Sequence, residues 1–271
     1  GSKAKDKYAT AVGYQNTATG DQSSVFGSDS EASGANSLAV GSHAESKGDY
    51  SVGMGFKAKT DSEGAVAIGN QATSSGENGL ALGTIAKATQ KDSVALGHSA
   101  QATEINSVAL GSSSTTDQAV STAVMTINGT TYNLAGSTAD STVSVGTVRQ
   151  NAQGDIFEIK RTITNVAAGR VSDTSTDAIN GSQLHAVTQA VETNAGNIRL
   201  LDNRISNINN YTDSQVGKVG ARSAALAGLH PLEFNKDDKA SYAVSMGNYK
   251  GKSAVALGAF YRPNERTMVG F

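Results

Sequence analysis

The chain has 271 residues, a formal net charge of −2, no cysteine, no tryptophan, two prolines and 30 glycines. Disulfides and thiolate metal sites are therefore closed to it, a near-neutral balance removes the electrostatic case for nucleic acid, and no apolar run reaches the roughly 20 residues of a transmembrane helix. With 5% aromatic residues and many small side chains, a monomer would bury too little surface, so a homo-oligomer is expected.

Gly1-Ser2 reads as a cloning remnant, and no leader peptide is visible. From there eight glycines recur every fourteen residues: Gly13, Gly27, Gly41, Gly55, Gly69, Gly83, Gly97 and Gly111. Each ends a variation on Ser-Val-Ala-Leu-Gly, as in Ser93-Val94-Ala95-Leu96-Gly97. A short fixed period over this length means stacked identical units. Side chains alternate across a strand, so Ala95 and its equivalents face one side while Val94 and Leu96 face the other. The small side suits the cramped interior of a flattened coil, and the large side needs a partner, most simply a copy of itself on another chain. Two strands of about five residues and two corners fill each turn, with the glycine at a corner where positive φ or close approach is required. Polar segments such as Asn70-Gln71-Ala72-Thr73-Ser74 follow each glycine and belong on an outer face. Eight coils at the strand spacing give about 40 Å of roll.

The period fails near Ala119. Asn128-Gly129 predicts a two-residue hairpin turn between Val124–Ile127 and Thr130–Leu134. Val143–Val145 and Ile156–Ile159 read as further strands, with a turn at Gly154-Asp155. An adaptor follows, containing Asn165-Val166-Ala167-Ala168-Gly169 and Thr176 to Leu184. Leu184, Val187, Val191, Asn194, Ile198, Leu201, Ile205, Ile208, Thr212, Gln215 and Val219 then alternate by three and four residues. Eight of these eleven are apolar, which predicts a coiled coil about 54 Å long. Asn194 in the seam either specifies register or lines an axial site for a water or anion.

Beyond Gly220, Ala221–Gly228 reads as a small-residue helix stopped by Pro231. Tyr242–Gly247 and Ser253–Tyr261 alternate with period two, placing Val255, Leu257 and Tyr261 on one face and Ala254, Ala256 and Gly258 on the other. That is the pattern of lipid-facing barrel strands with a crowded lumen. A third strand begins near Thr267.

Catalysis finds little support. His43, His98, His185 and His230 lack a nucleophile-and-carboxylate arrangement, no repeated acid pair suits glycoside chemistry, and Gly247–Ser253 fails as a phosphate loop because Met246 stands where its first glycine belongs.

This order of parts resembles the YadA-like trimeric autotransporter adhesins of Gram-negative bacteria. The repeats are similar to that family's head, Asn165–Gly169 with Thr176–Leu184 to its neck, Asn128–Gly146 to an insertion between the two, and Tyr249-Lys250-Gly251-Lys252-Ser253-Ala254 with Leu257-Gly258 to its membrane anchor. The resemblance implies a mostly β chain with a helical stalk: a left-handed parallel β-roll head (1–118), a β-hairpin insertion (119–162), a neck (163–183), a trimeric coiled coil (184–220) and a partial C-terminal transmembrane β-barrel anchor (221–271). In the family each chain gives four strands to a twelve-stranded barrel around the three stalk helices. Two strands and the start of a third are visible here, so the natural protein is expected to continue. The resemblance further implies a homotrimer in the outer membrane, on the cell surface, with no enzymatic activity, cofactor or metal. Its partners would be extracellular matrix proteins or host surface receptors, including the CEACAM type; the alternative is autoaggregation, biofilm formation or shielding without a specific host ligand. The ligand-contacting residues are not assigned.

Overall fold

The computed structural model describes residues 1–150 and 153–271, and these divide into two compact units, Gly1–Asn180 and Gly181–Phe271.

In the first unit the chain winds into a parallel β-solenoid. One wall is a nine-stranded sheet running from Thr10–Tyr14 through Ser24–Ser28, Leu38–Ser42, Val52–Met54, Val66–Ile68, Leu80–Leu82, Val94–Leu96 and Val108–Leu110 to Val143–Ser144. The opposite wall is an eight-stranded sheet of two-residue strands, from Lys3–Ala4 to Gln101–Ala102. The second strand of each coil is thus shorter than the five residues expected, because both corners consume more chain. Every coil lies on the next in register: Val66 pairs with Leu80, Ala67 with Ala81 and Ile68 with Leu82.

The interior is almost entirely methyl and hydroxymethyl groups. Ala39, Ala67, Ala81, Ala95 and Ala109 are fully buried on one wall, Ala18, Ala32, Ala88 and Ala102 on the other, and Ala44, Ala58, Ala72, Ala86 and Ala100 at the corner between them. Val25 is the largest fully buried side chain. In one cluster the hydroxyls that replace methyls satisfy one another: Ser46 Oγ lies 2.8 Å from Ser51 Oγ and 3.0 Å from Thr60 Oγ1. Near the start of the roll the buried Asn16 amide donates to the carbonyls of Val12 and Gly27 and accepts from the Ser30 N–H.

The repeat glycines stack on each other along one corner. All eight, from Gly13 to Gly111, have φ between +106° and +150°. A Cβ on Gly27 would overlap the carbonyl oxygen of Gly41, so even a residue tolerant of that φ has no room. Two residues later in each coil, and again half a turn away, a second kind of corner residue appears. Gln15, Asp29, His43, Lys57, Gln71, Ile85, Ser99 and Ser113 all have φ of 53–60°, as do Tyr8, Gln22, Asn36, Tyr50, Asn78, Asp92 and Asn106 at 54–57°. Gly64 fills the remaining place with φ 65°. Most of these are polar residues that accept the left-handed region at modest cost; Ile85 is β-branched and strained there.

The structure departs from the expected boundary at residue 118. Val143 pairs in parallel with Val108, and Ser144 with Ala109, as a ninth strand of the large sheet. The Thr115 N–H donates to Gly146 O at 2.8 Å, and the Thr115 and Thr147 hydroxyls meet at 2.7 Å. Residues 119–142 therefore leave the roll at a corner and return to add a further coil, so Val143–Gly146 is head rather than insertion. The repeat signature was out of phase because the excursion is not a multiple of the period. Within it, Val124–Ile127 and Thr130–Asn133 pair antiparallel about Asn128-Gly129. A second hairpin, Thr147–Gln150 with Ile156–Ile159, follows; residues 151 and 152, inside the expected 119–162 insertion, lie outside the described residues.

The second unit consists of one helix, Gly181–Ala227, and an antiparallel sheet of Ala240–Tyr249, Lys252–Asn264 and Thr267–Gly270. The helix is continuous across the expected boundary between stalk and anchor at 220 and runs to Ala227, with Gly217 and Gly220 serving close packing.

Ala95→Leu is expected to lower the melting temperature of the roll, since overpacking costs roughly 1–3 kcal/mol and Ala95 is sealed between Ala81 and Ala109. Thermal melts by circular dichroism test this, and an unchanged midpoint would place that face outside the core. Ile85→Asn should act oppositely, raising stability by about 1 kcal/mol through relief of left-handed strain; a lower midpoint in the same melt would show that the Ile85 side chain makes a compensating contact.

Candidate functional site

The two outward faces of the roll differ in kind. On the nine-stranded wall one outward column runs Val12, Phe26, Val40, Met54, Ile68, Leu82, Leu96 and Leu110, one residue per coil, and Val12, Phe26, Met54, Leu82 and Leu110 in it are each between 39% and 53% exposed in the single chain. A continuous apolar stripe of this length is an interaction surface, not a solvated one. On the eight-stranded wall the outward residues are Lys3, Thr17, Glu31, Glu45, Lys59, Thr73, Lys87 and Gln101. Charges there are paired locally: Glu45 with Lys47 at 2.7 Å, Lys59 with Asp61 at 3.3 Å and, at the corner, Glu77 with Lys91 at 2.8 Å. Half-exposed pairs of this kind stabilise little; they leave a mixed, near-neutral polar surface. At the corner after Gly55, Lys57 Nζ sits 5.1 Å from the Phe56 ring centroid, and the His43 ring is 6.0 Å away.

The neck end of the roll is closed by Arg161. Its guanidinium donates to Ser112 O at 2.6 Å, to Ser114 Oγ at 3.0 Å and to Val145 O. It occupies the place that a further glycine would hold: a Cβ on Gly111 would lie 3.1 Å from Arg161 Cζ. Carbonyls that would be orphaned at the end of a stack thus find a donor. Beyond it, the adaptor is held by side chains rather than strands. Asp177 accepts from Arg170 Nε at 2.7 Å, Nη2 at 3.0 Å and the backbone N–H at 3.0 Å. Hydrogen bonding to Arg170 holds the Asp177 carboxyl below its ordinary range and raises the Arg170 guanidinium. Asn180 Nδ2 donates to Val166 O at 3.1 Å.

Along the helix the apolar seam is bare in the single chain: Leu184, Val187, Val191, Ile198, Leu201, Ile205, Ile208 and Val219 are each more than half exposed. Asn194 lies in this row, also exposed. An unburied stripe of this length requires other helices.

In the anchor, cross-strand neighbours such as Val244 and Leu257 or Met246 and Val255 project outward, with exposures of 69%, 75%, 75% and 61%. The other face is small and covered by the helix: Gly247, Ala256 and Gly258 are buried, as are Gly217, Ala221 and Ala225 on the helix. A Cβ on Gly247 would overlap the backbone of Ala221 and Ala225. No described helix is long and apolar enough to cross a membrane. Gly247–Ser253 forms the hairpin turn of these strands, which lacks the helix that a phosphate loop needs. Among the described residues no group of three or more His, Cys, Asp or Glu is arranged to hold a metal ion.

Sequence reasoning anticipated the glycine column but missed the two left-handed columns and the Arg161 closure. Polar residues recurring two places after each glycine were the available signal for the first; nothing local marks Arg161.

Family models match in three places. The coiled stalk of trimeric autotransporter adhesin matches residues 162–223. The YadA head domain repeat matches 18–44, 46–72, 74–100, 88–114 and 102–124. The YadA-like membrane anchor domain matches 232–271. The autotransporter adhesin BtaE of Brucella suis biovar 1 (strain 1330) is 51% identical over 83 residues, 31% of this chain and 10% of that protein, so the match spans a tenth of that relative's length. Among solved structures, the C-terminal YadA-like domain of BPSL2063 from Burkholderia pseudomallei is 38% identical with a TM-score of 0.38, covering 52% of this chain and 55% of that one. The collagen-binding domain of the Yersinia adhesin YadA is 28% identical with a TM-score of 0.46, covering 64% and 86%.

Asn194→Ile is expected to raise the unfolding temperature of the isolated stalk, because a polar seam residue trades stability for specificity. Calorimetry of the two stalks checks this; a lower transition in the variant would favour an axial water or anion bound by Asn194.

Proposed function

Because the chain belongs to the YadA-like trimeric autotransporter adhesins, homotrimers anchored in the outer membrane and exposed at the cell surface, we propose that it attaches the bacterium to host cells through extracellular matrix proteins or surface receptors. The observation that supports this most is the match, in order along one chain, of head repeats, coiled stalk and membrane anchor. The apolar column Val12, Phe26, Met54, Leu82 and Leu110 serves the contact between three heads. The polar wall and the corners are then the surfaces left for a ligand. Three parallel copies of one shallow site bind with avidity, so no deep pocket is needed. The seam from Leu184 to Val219 holds the three helices together. The outward face of Tyr242, Val244, Met246, Val255 and Leu257 meets lipid. This reading assigns no catalytic residue and no cofactor.

A soluble trimer of residues 3–215 should bind saturably to at least one member of a panel of matrix proteins and host receptors, CEACAM-type receptors included. A stalk-only trimer should not. Surface plasmon resonance with both proteins measures the difference. Equal binding by the two, or none by either, would transfer the role to self-association, which sedimentation of cells displaying the chain would reveal.

A further inference from the structure

The helix face that packs on the anchor sheet is a stripe of small residues, Gly217, Gly220, Ala221, Ala224 and Ala225, and the residue one turn before it is Asp213. Asp213 is level with the tip of the first anchor hairpin. There Lys250 Nζ lies 3.1 Å from Asp213 Oδ1. The approach is enforced from below: a Cβ on Gly217 would come within 2.8 Å of Lys252 Cγ, and one on Gly220 would overlap the Tyr249 ring. Glycine at both places therefore lets the end of the hairpin lie directly on the helix.

The turn itself sets where Lys250 stands. Lys250 and Gly251 are its two central residues, with φ of 46° and 72°, closing the pair Tyr249–Lys252. Two-residue turns with both φ positive favour Asn-Gly or Asp-Gly. The chain uses Asn128-Gly129 in its other hairpin of this kind, with φ of 49° and 80°. At Lys250 it places a long cationic side chain in the left-handed region, as it does at Lys57, and here that side chain reaches Asp213. Beside the pair is an open polar cavity of about 400 Å³, lined by Asn210, Asp213, Ser214, Lys250 and Lys252, so the ion pair bridges a gap that packing leaves.

We propose that Lys250 and Asp213 form a latch, fixing the tip of the first anchor hairpin to the stalk helix and closing the stalk-side mouth of the anchor to hydrophilic solutes. The latch rests on the reading of the anchor as a barrel around the stalk helices. Both partners are at least half exposed and contribute little to stability as a pair; what they do is hold position across the gap, three times in a trimer.

The test is entry of vancomycin, which an intact outer membrane excludes, into cells displaying the full-length natural protein, with surface labelling and heat-resistant trimer as controls. Lys250→Asn gives the turn its favoured residue and Asp213→Asn keeps the size of its side chain. Each should raise sensitivity several-fold with trimer and surface level unchanged. The exchange Asp213→Lys with Lys250→Asp should return it to the parental level. Parental exclusion in both single variants overturns the latch, as does an exchange as leaky as the singles. If the single variants fail to reach the surface, an exchange that reaches it and excludes vancomycin supports the latch, and one that also fails overturns it.

Discussion

The interior of the roll admits little more than a methyl group per residue, and the rest of the molecule follows from that limit. Ala67, Ala81, Ala95 and Ala109 can stack in register because nothing larger competes for the space. A core of methyls gives each coil only a small hydrophobic gain, since transfer free energy scales with apolar area. The larger side chains must therefore find their burial elsewhere, on the outer wall. On the proposed reading, trimerisation is the second half of the core rather than an addition to a finished fold. The same logic governs the helix, where the seam is bare, and the anchor, where small residues on both sides let helix and sheet approach.

How much could be read beforehand depended on whether the determining contact was local in sequence. Alternation and period are local, so the wall strands, the inner alanines and the glycine corner were legible from Ser93–Gly97 and its copies. The heptad seam and the alternating anchor strands were legible for the same reason. Corner geometry was only half legible: Gly27 announces itself, whereas His43 or Lys57 in the left-handed region looks like any polar loop residue. Contacts distant in sequence were not legible. Arg161 closes a stack whose last glycine is Gly111, and Val143 returns to Val108 across an excursion that shifts the phase. That one helix runs unbroken from the stalk seam into the small-residue stretch was not legible either, since what Gly220 packs on, the Tyr249 ring, is distant in sequence.

The middle of the stack and its neck end obey different rules. Within the stack, hydrogen bonds pass from coil to coil, as from the Gly69 N–H to Met54 O at 2.8 Å and from the Gly83 N–H to Ile68 O at 2.9 Å. At the neck end that ladder meets side chains instead: Arg161 on the last carbonyls, then Asp177 on Arg170 and Asn180 on Val166. Specific polar contacts take over where repetition stops, which is why the adaptor has a distinctive sequence while any one coil does not.

The excursion of residues 119–142 shows what a stacked architecture permits. It enters and leaves at one corner, and the strand after it resumes the alignment of Val143 over Val108 as if nothing had intervened. Alignment here is a property of the coil, not of the count of residues between coils. A single residue gained within a wall strand would turn every following side chain to the wrong face, whereas a whole coil, or a loop of any length at a corner, leaves its neighbours untouched. Natural variation in such a head should consequently be quantised: reach changes in steps of about 4.8 Å, and new surface is acquired as corner insertions, each independent of the last.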